Sequence, residues 1–194
     1  MTRARILSLL RDKSGAAMLE FAMVCIPLLY MIFGFIDLAH KEYVAAILQG
    51  AVNKAGRTLS VQNVSFATQN ALVQDEVSQA IPSATFTFSQ RNFNSFAAIS
   101  SPEPFIDNNN NGTCDAGEKY QDVDGNGIWD AINNGAPGAG GANAVVVYTV
   151  TVSYNHIFPI FSLFGAPQAE VITAQSVLRN QPYGISAVPV WRTC

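Results

Sequence analysis

Residues 16–36 read AAMLEFAMVCIPLLYMIFGFI, 21 positions with a single charge at Glu20. About 20 apolar residues wound as a helix cross a bilayer, so this run commits one end of the molecule to a membrane before any other element is considered. Arg3, Arg5, Arg11 and Lys13 precede it and Asp37 follows it. By the positive-inside rule the N-terminus is then cytoplasmic and everything beyond Asp37 lies outside. A cleaved secretory signal would need a small-residue cleavage site after the apolar run; the exit IDLAHK puts Asp37 there, which favours a retained anchor. Pro27 costs one helix hydrogen bond, which membrane helices tolerate. Glu20 is harder to accommodate, because an acid within the bilayer costs a few kcal/mol at the centre and less near the ends. It is either a functional group or a side chain that snorkels to the surface from one turn in.

Beyond the anchor, DLAHKEYVAAILQGAVNKAGRTLSV places Leu38, Tyr43, Val44, Ile47, Leu48, Ala51, Val52, Ala55 and Leu59 near helical spacing. Anchor and stem together predict one helix of about 45 residues, roughly 65–70 Å long. The stretch SGAAMLEF has Gly15 five positions before Glu20. It resembles the processing site of type IV prepilins and pseudopilins, in which a prepilin peptidase cuts after the glycine and the glutamate helps align subunits. The resemblance implies a cut between Gly15 and Ala16, with Glu20 as the alignment acid. Such a cut would remove the basic leader and create an ammonium at Ala16, a natural partner for a neighbouring helix's buried glutamate. The longer segment GAAMLEFAMVCIPLLYMIFGFIDLAHKEYVAAILQGAVNKAGR resembles the N-terminal part of TadE-like pseudopilins of the tight adherence (Tad, or Flp) pilus system. The features that carry this are G then E-F, the mid-span proline, the G-F-I-D exit and the closing A-G-R. ITAQSVLRNQPY is loosely similar to the strand and R-N-E-P turn of that family, with Gln181 in place of the acid. Residues 62–144 lie outside the resemblance.

The outer part, residues 62–194, reads as α+β. SFATQNALVQDEVSQAI carries Leu72, Val73, Val77, Ala80 and Ile81 at helical spacing and is stopped by Pro82. ATFTFS alternates as a half-buried strand; in AVVVYTVTVSYN, Val146, Tyr148, Val150, Val152 and Tyr154 share one face; EVITAQSVLR is a third strand. These predict a small antiparallel sheet packed on the long helix, a pilin-like arrangement. HIFPIFSLFGAP, between the last two strands, is expected in the core or against the membrane rather than as an exposed contact patch. NNGAPGAGGAN, residues 133–143, is a flexible return loop.

Four of the 11 basic residues lie in the first 15 positions, but only one of the 14 acids, so the rest of the chain carries 7 basic residues against 13 acidic. That balance leaves no basic patch for nucleic acid. Cys25, Cys114 and Cys194 form no CxxC and no zinc spacing. Cys25 sits in the apolar run, and Cys114 and Cys194 are candidates for a disulfide if the domain is exported, a pairing the spacing leaves open. His40 and His156 are isolated, no nucleophile–base pairing can be argued, and neither a phosphate loop nor HExxH is present. The expectation is a protein that is not an enzyme.

Six of the 14 acids fall in DNNNNGTCDAGEKYQDVDGNGIWD, residues 107–130. An EF-hand-type loop needs oxygen ligands at positions 1, 3, 5, 9 and 12, a carbonyl at 7 and glycine at 6. Counting from Asp107, these fall on Asn109, Asn111, Asp115 and Glu118, with the Thr113 carbonyl and Gly112. Counting from Asp122, they fall on Asp124, Asn126 and Asp130, with the Ile128 carbonyl and Gly127, but position 12 is Asn133. The loops start 15 residues apart, and only three residues separate Glu118 from Asp122. That leaves no room for flanking helices, so these are stand-alone calcium loops. Two structural calcium ions are expected, the second held more weakly because Asn133 cannot replace a bidentate glutamate.

The sequence thus predicts a basic leader (1–15), a transmembrane helix (16–37), a helical stem (38–61) and an extracytoplasmic α+β domain (62–194) with calcium loops at 107–133. The implied setting is a bacterial inner membrane with the main domain periplasmic or extracellular. Prepilin peptidase and other pilin-like subunits are the implied partners. The alternative is a calcium-dependent surface-binding module on a permanent anchor, never built into a filament.

Overall fold

The computed structural model describes residues 14–60, 65–158, 162, 165, 167–181 and 189–194; the predicted basic leader lies outside them. Helix α1 spans Ser14–Leu59, 46 residues with Pro27 inside it, so anchor and stem are one element. Helix α2 spans Phe66–Ser78. Strand β1 is Thr85–Phe93, β2 Lys119–Asp122, β3 Ala136–Pro137, β4 Val145–Asn155, β5 Ala169–Arg179 and β6 Val190–Thr193. The chain divides into two units. One comprises the part up to Tyr43 with Asn155–Glu170, the other Val44–Tyr154 with Val171–Cys194.

In the first unit, α1 contains an 18-residue window of mean hydropathy 2.2, none of it buried. It is the only helix among the described residues long and apolar enough to cross a membrane. At its exit Asp37 is buried and accepts the N–H groups of Ile157 at 3.1 Å and Phe158 at 3.4 Å. Phe33 and Phe158 stack with centroids 4.7 Å apart. Of the other aromatic and apolar residues expected to pack from HIFPIFSLFGAP, residues 159–161, 163–164 and 166 lie outside the described residues. Lys41 meets Glu170 at 2.8 Å, and this hydrogen bond raises the lysine pKa. His156 is not isolated: it lies 3.8 Å from Asp37 and 3.5 Å from Glu170.

The second unit holds the core. Its main sheet has the order β3-β1-β4-β5, with β1 antiparallel to β4 from Thr85↔Ser153 to Phe93↔Val145. Val146, Tyr148, Val150, Val152 and Tyr154 are all buried, because alternation turns each of them to the same face. That face meets Val44, Leu48, Ala51, Val52, Ala55 and Leu59 of α1 and Val73, Val77 and Ile81 at and beyond α2. Each large aliphatic side chain removed from water here stabilises the fold by about 1.5–3 kcal/mol. Leu38, Tyr43 and Leu72 fit the helical spacing but are exposed. Gly56 marks the tightest approach of α1 to the sheet: a Cβ there would lie 2.5 Å from Ser176 Oγ and 3.0 Å from Ser176 Cβ on β5. A separate two-stranded sheet pairs β2 with β6, from Lys119↔Thr193 to Asp122↔Val190.

A candidate cation site in two linked loops

Glycine makes both loops possible. Gly112 and Gly127, at position 6 of each, have φ of 80° and 81°, a region in which a side chain would be strained. The chain folds back there and its N–H groups turn inward onto the first aspartate. Asp107 accepts Asn111 N–H at 3.2 Å and Gly112 N–H at 2.9 Å. Asp122 accepts Gly125 N–H at 2.8 Å and Gly127 N–H at 3.1 Å. The position-3 oxygens take the position-5 N–H in both: Asn109 from Asn111 at 3.0 Å, Asp124 from Asn126 at 3.0 Å. Position 5 takes the position-7 N–H: Asn111 from Thr113 at 2.8 Å, Asn126 from Ile128 at 2.6 Å. The position-5 amides donate to position 9, Asn111 to Asp115 at 2.6 Å and Asn126 to Asp130 at 2.9 Å. Both loops thereby gather carboxylate and amide oxygens, the hard donors calcium prefers, in one hydrogen-bonded pattern.

Glu118 closes the first loop. It is buried; its Oε1 accepts Asn108 N–H at 2.8 Å and its Oε2 accepts Asp115 N–H at 3.0 Å. Asn133 does not act in this way in the second loop. It is buried, but its Oδ1 accepts Gly135 N–H at 2.7 Å. The residue that sequence reasoning missed is Glu103. It is 1% exposed, and its carboxylate accepts Val123 N–H at 2.7 Å and Asp130 N–H at 3.2 Å. Ligand atoms of Glu103, Asp122 and Asp124 lie within 4.8 Å of one another. Burial pushes the Glu103 carboxyl above its ordinary range, opposed by the Val123 and Asp130 N–H groups. A signal was present: Glu103 stands four positions before Asp107, as Glu118 stands four before Asp122.

Neighbours fix this arrangement. Ile106 N–H donates to the Lys119 carbonyl and Gln121 N–H to the Pro104 carbonyl, both at 2.8 Å, around a Phe105↔Tyr120 bridge. Trp129 donates its indole N–H to the Glu103 carbonyl at 3.0 Å and packs edge-on to Phe105, centroids 5.0 Å apart. Arg192 of β6 pairs with the buried Asp122. The Tyr120 hydroxyl is buried with no partner among the described residues; burial, then the charge of Asp122, raises its pKa, and Arg192 opposes them. Cys114 and Cys194 form a disulfide, Cα atoms 6.0 Å apart, joining the first loop to the end of β6. Cys25 is free.

The other predicted site residues lie elsewhere. Gly15, Ala16 and Glu20 are in the opening turns of α1, all exposed, and a Cβ at Gly15 would meet nothing within 4 Å. No curated protein and no solved structure matches the chain. Residues 15–57, from the glycine of the Gly15–Glu20 pair to the A-G-R that brings α1 against β5, match the family model described as TadE-like protein, and this stretch is the part of the chain that carries that family's features.

Proposed function

We propose that this is a membrane-anchored, pilin-like subunit that takes part in assembling or capping a tight adherence pilus or a related secretion filament. The observation that carries the reading is the TadE-like match over residues 15–57, which contains both the apolar window and the Gly15–Glu20 spacing. In this reading α1 sits in a bacterial inner membrane, its N-terminus cytoplasmic and the α+β domain outside. Prepilin peptidase cuts between Gly15 and Ala16, and Glu20 aligns the helix with its neighbours. No catalytic step is assigned to the protein. Calcium is the structural cofactor of residues 107–130; the N–H pattern common to both loops and the convergence of Glu103, Asp122 and Asp124 support this. Without the ion a segment this polar buries too little apolar surface to hold its shape unaided.

Intact mass of the membrane-extracted protein tests the reading. In cells with a prepilin peptidase the chain is expected to start at Ala16, and Gly15→Val is expected to block the cut. Uncut protein in those cells overturns the filament reading. It favours instead a calcium-dependent binding module on a permanent anchor, a possibility kept open because the family match leaves the loops uncovered.

A further inference from the structure

The loops are usually counted from their first aspartate, but the bonding pattern fits a frame that begins four residues earlier. EPFIDNNNNGTCD, from Glu103, and EKYQDVDGNGIWD, from Glu118, align position for position, 15 residues apart. Phe105 then matches Tyr120, Asp107 matches Asp122 and Asp115 matches Asp130. The contacts obey the same frame. Ile106 donating to Lys119 and Gln121 donating to Pro104 are one interaction written twice, as an approximate two-fold axis through the Phe105↔Tyr120 bridge requires.

Under that axis the glutamates are exchanged. Glu118, the head of the second repeat, closes the first loop through the N–H groups of positions 2 and 9, Asn108 and Asp115. Glu103, the head of the first repeat, takes the N–H groups of positions 2 and 9 of the second loop, Val123 and Asp130. The backbones agree as well: Glu118 N–H donates to the Asp115 carbonyl and Glu103 N–H to the Asp130 carbonyl, both at 2.9 Å.

We propose that Glu103 is the closing carboxylate ligand of a calcium ion in the second loop, each repeat lending its glutamate to the other. This rests on the calcium reading above. The ligand set is Glu103, Asp122, Asp124, Asn126, Asp130 and the Ile128 carbonyl. Glu103, Asp122 and Asp124 already converge, and the buried, unpartnered Tyr120 hydroxyl lies on the face of β2 that Asp122 shares. Four carboxylates serve this loop against three in the first, and more charge tightens calcium binding. Arg192 on Asp122 offsets part of that excess. The expectation of a weak second site, which rested on Asn133, is replaced by one in which the second site binds at least as tightly as the first.

The test uses the full chain in detergent, stripped of metal. Calcium titration by calorimetry gives the stoichiometry, and terbium luminescence sensitised by Trp129, inside the second loop, reports that loop. Wild type takes two ions. Glu103→Gln is expected to take one and lose the terbium signal; Glu118→Gln takes one and keeps it; Asn133→Ala takes two. Glu103→Gln binding two ions with wild-type affinity, or Asn133→Ala losing the second, overturns the proposal while leaving calcium itself in place. Wild type binding no calcium overturns the calcium reading and this proposal with it. Because Glu103→Gln could unfold the segment, the wild-type carboxyl carbons are also followed by NMR. Glu103 must shift in the same calcium step as the Trp129 signal; a shift at Glu118 alone overturns the exchange.

Discussion

Gly56 and Gly50 lie in the same helix and should respond to alanine with opposite sign. Alanine is better than glycine in a helix interior by about 1 kcal/mol. At Gly50 a new Cβ meets nothing within 4 Å, so Gly50→Ala should stabilise by about that amount. At Gly56 the new methyl would stand 2.5 Å from Ser176 Oγ and 3.0 Å from Ser176 Cβ. The hydroxyl can rotate away, but the Cβ is fixed by β5, so helix or strand must shift. Overpacking of this kind costs roughly 1–3 kcal/mol. Less the helix gain, Gly56→Ala should lose about 0–2 kcal/mol and fall about 1–3 kcal/mol below Gly50→Ala. Ser176→Gly removes both clashing atoms, and in that background Gly56→Ala should become stabilising. The assay is urea unfolding of the full chain in detergent by near-ultraviolet circular dichroism, where the buried Tyr148 and Tyr154 report. If Gly56→Ala matches Gly50→Ala, or Ser176→Gly does not change its sign, the close approach of α1 to β5 is not what requires the glycine.

Glu20→Val should insert into the membrane at least as readily as wild type, since a charge is removed, yet fail to assemble; normal piliation in that strain would leave Glu20 without an alignment role. The Cys114–Cys194 disulfide closes 80 positions of chain, which the chain-entropy account values at about 4.5 kcal/mol. Cys114→Ser with Cys194→Ser should therefore lower the unfolding midpoint sharply, and an unchanged midpoint would mean that the calcium loops alone hold this end. Burial raises the Tyr148 phenol to about 12, and its hydroxyl donates to Asn70 at 2.9 Å. An unfolded tyrosine ionises near 10, so stability from this group is complete below about pH 10 and is lost as pH rises towards 12. Absorbance at 295 nm should show Tyr148 titrating later than an exposed tyrosine, and Tyr148→Phe should flatten the alkaline loss of stability.

The helix and the central strands were legible because their signals are local. The 21-residue apolar run needs no partner to be recognised, and the alternation from Val146 to Tyr154 names its own buried face. Leu38, Tyr43 and Leu72 misled because spacing shows that a side chain could join an apolar face, not that anything covers it. Strand β6 was invisible: all four of its residues are exposed, so no alternation marks it, and its pairing with β2 is a long-range fact. Glu103 escaped for a different reason. An EF-hand-type pattern runs forward from its first aspartate, and a loop closed by a residue that precedes it does not fit that pattern. The Glu-x-x-x-Asp heading of both repeats is in the sequence, but its meaning lies in a long-range contact, the Val123 and Asp130 N–H groups sharing one carboxylate.

Residues 103–122 form a hairpin whose stem is only the ladder around Phe105 and Tyr120. A stem this short would fray in water. Here it is fastened at both ends, by Glu118 at the tip across 10 positions and by Glu103 at the base across 27. The main sheet by contrast must bring Phe93 to Val145, the pair of the β1–β4 register nearest in sequence, before those strands can pair. Short closures cost less chain entropy and form faster than long ones. The hairpin's own closures are therefore built to form ahead of the main sheet, whereas the pairing of β2 with β6, which joins Asp122 to Val190, is as long-range as the sheet itself. In native-state hydrogen exchange the Asn108, Asp115, Val123 and Asp130 amides should open together as one cooperative block, distinct from the amides of β4.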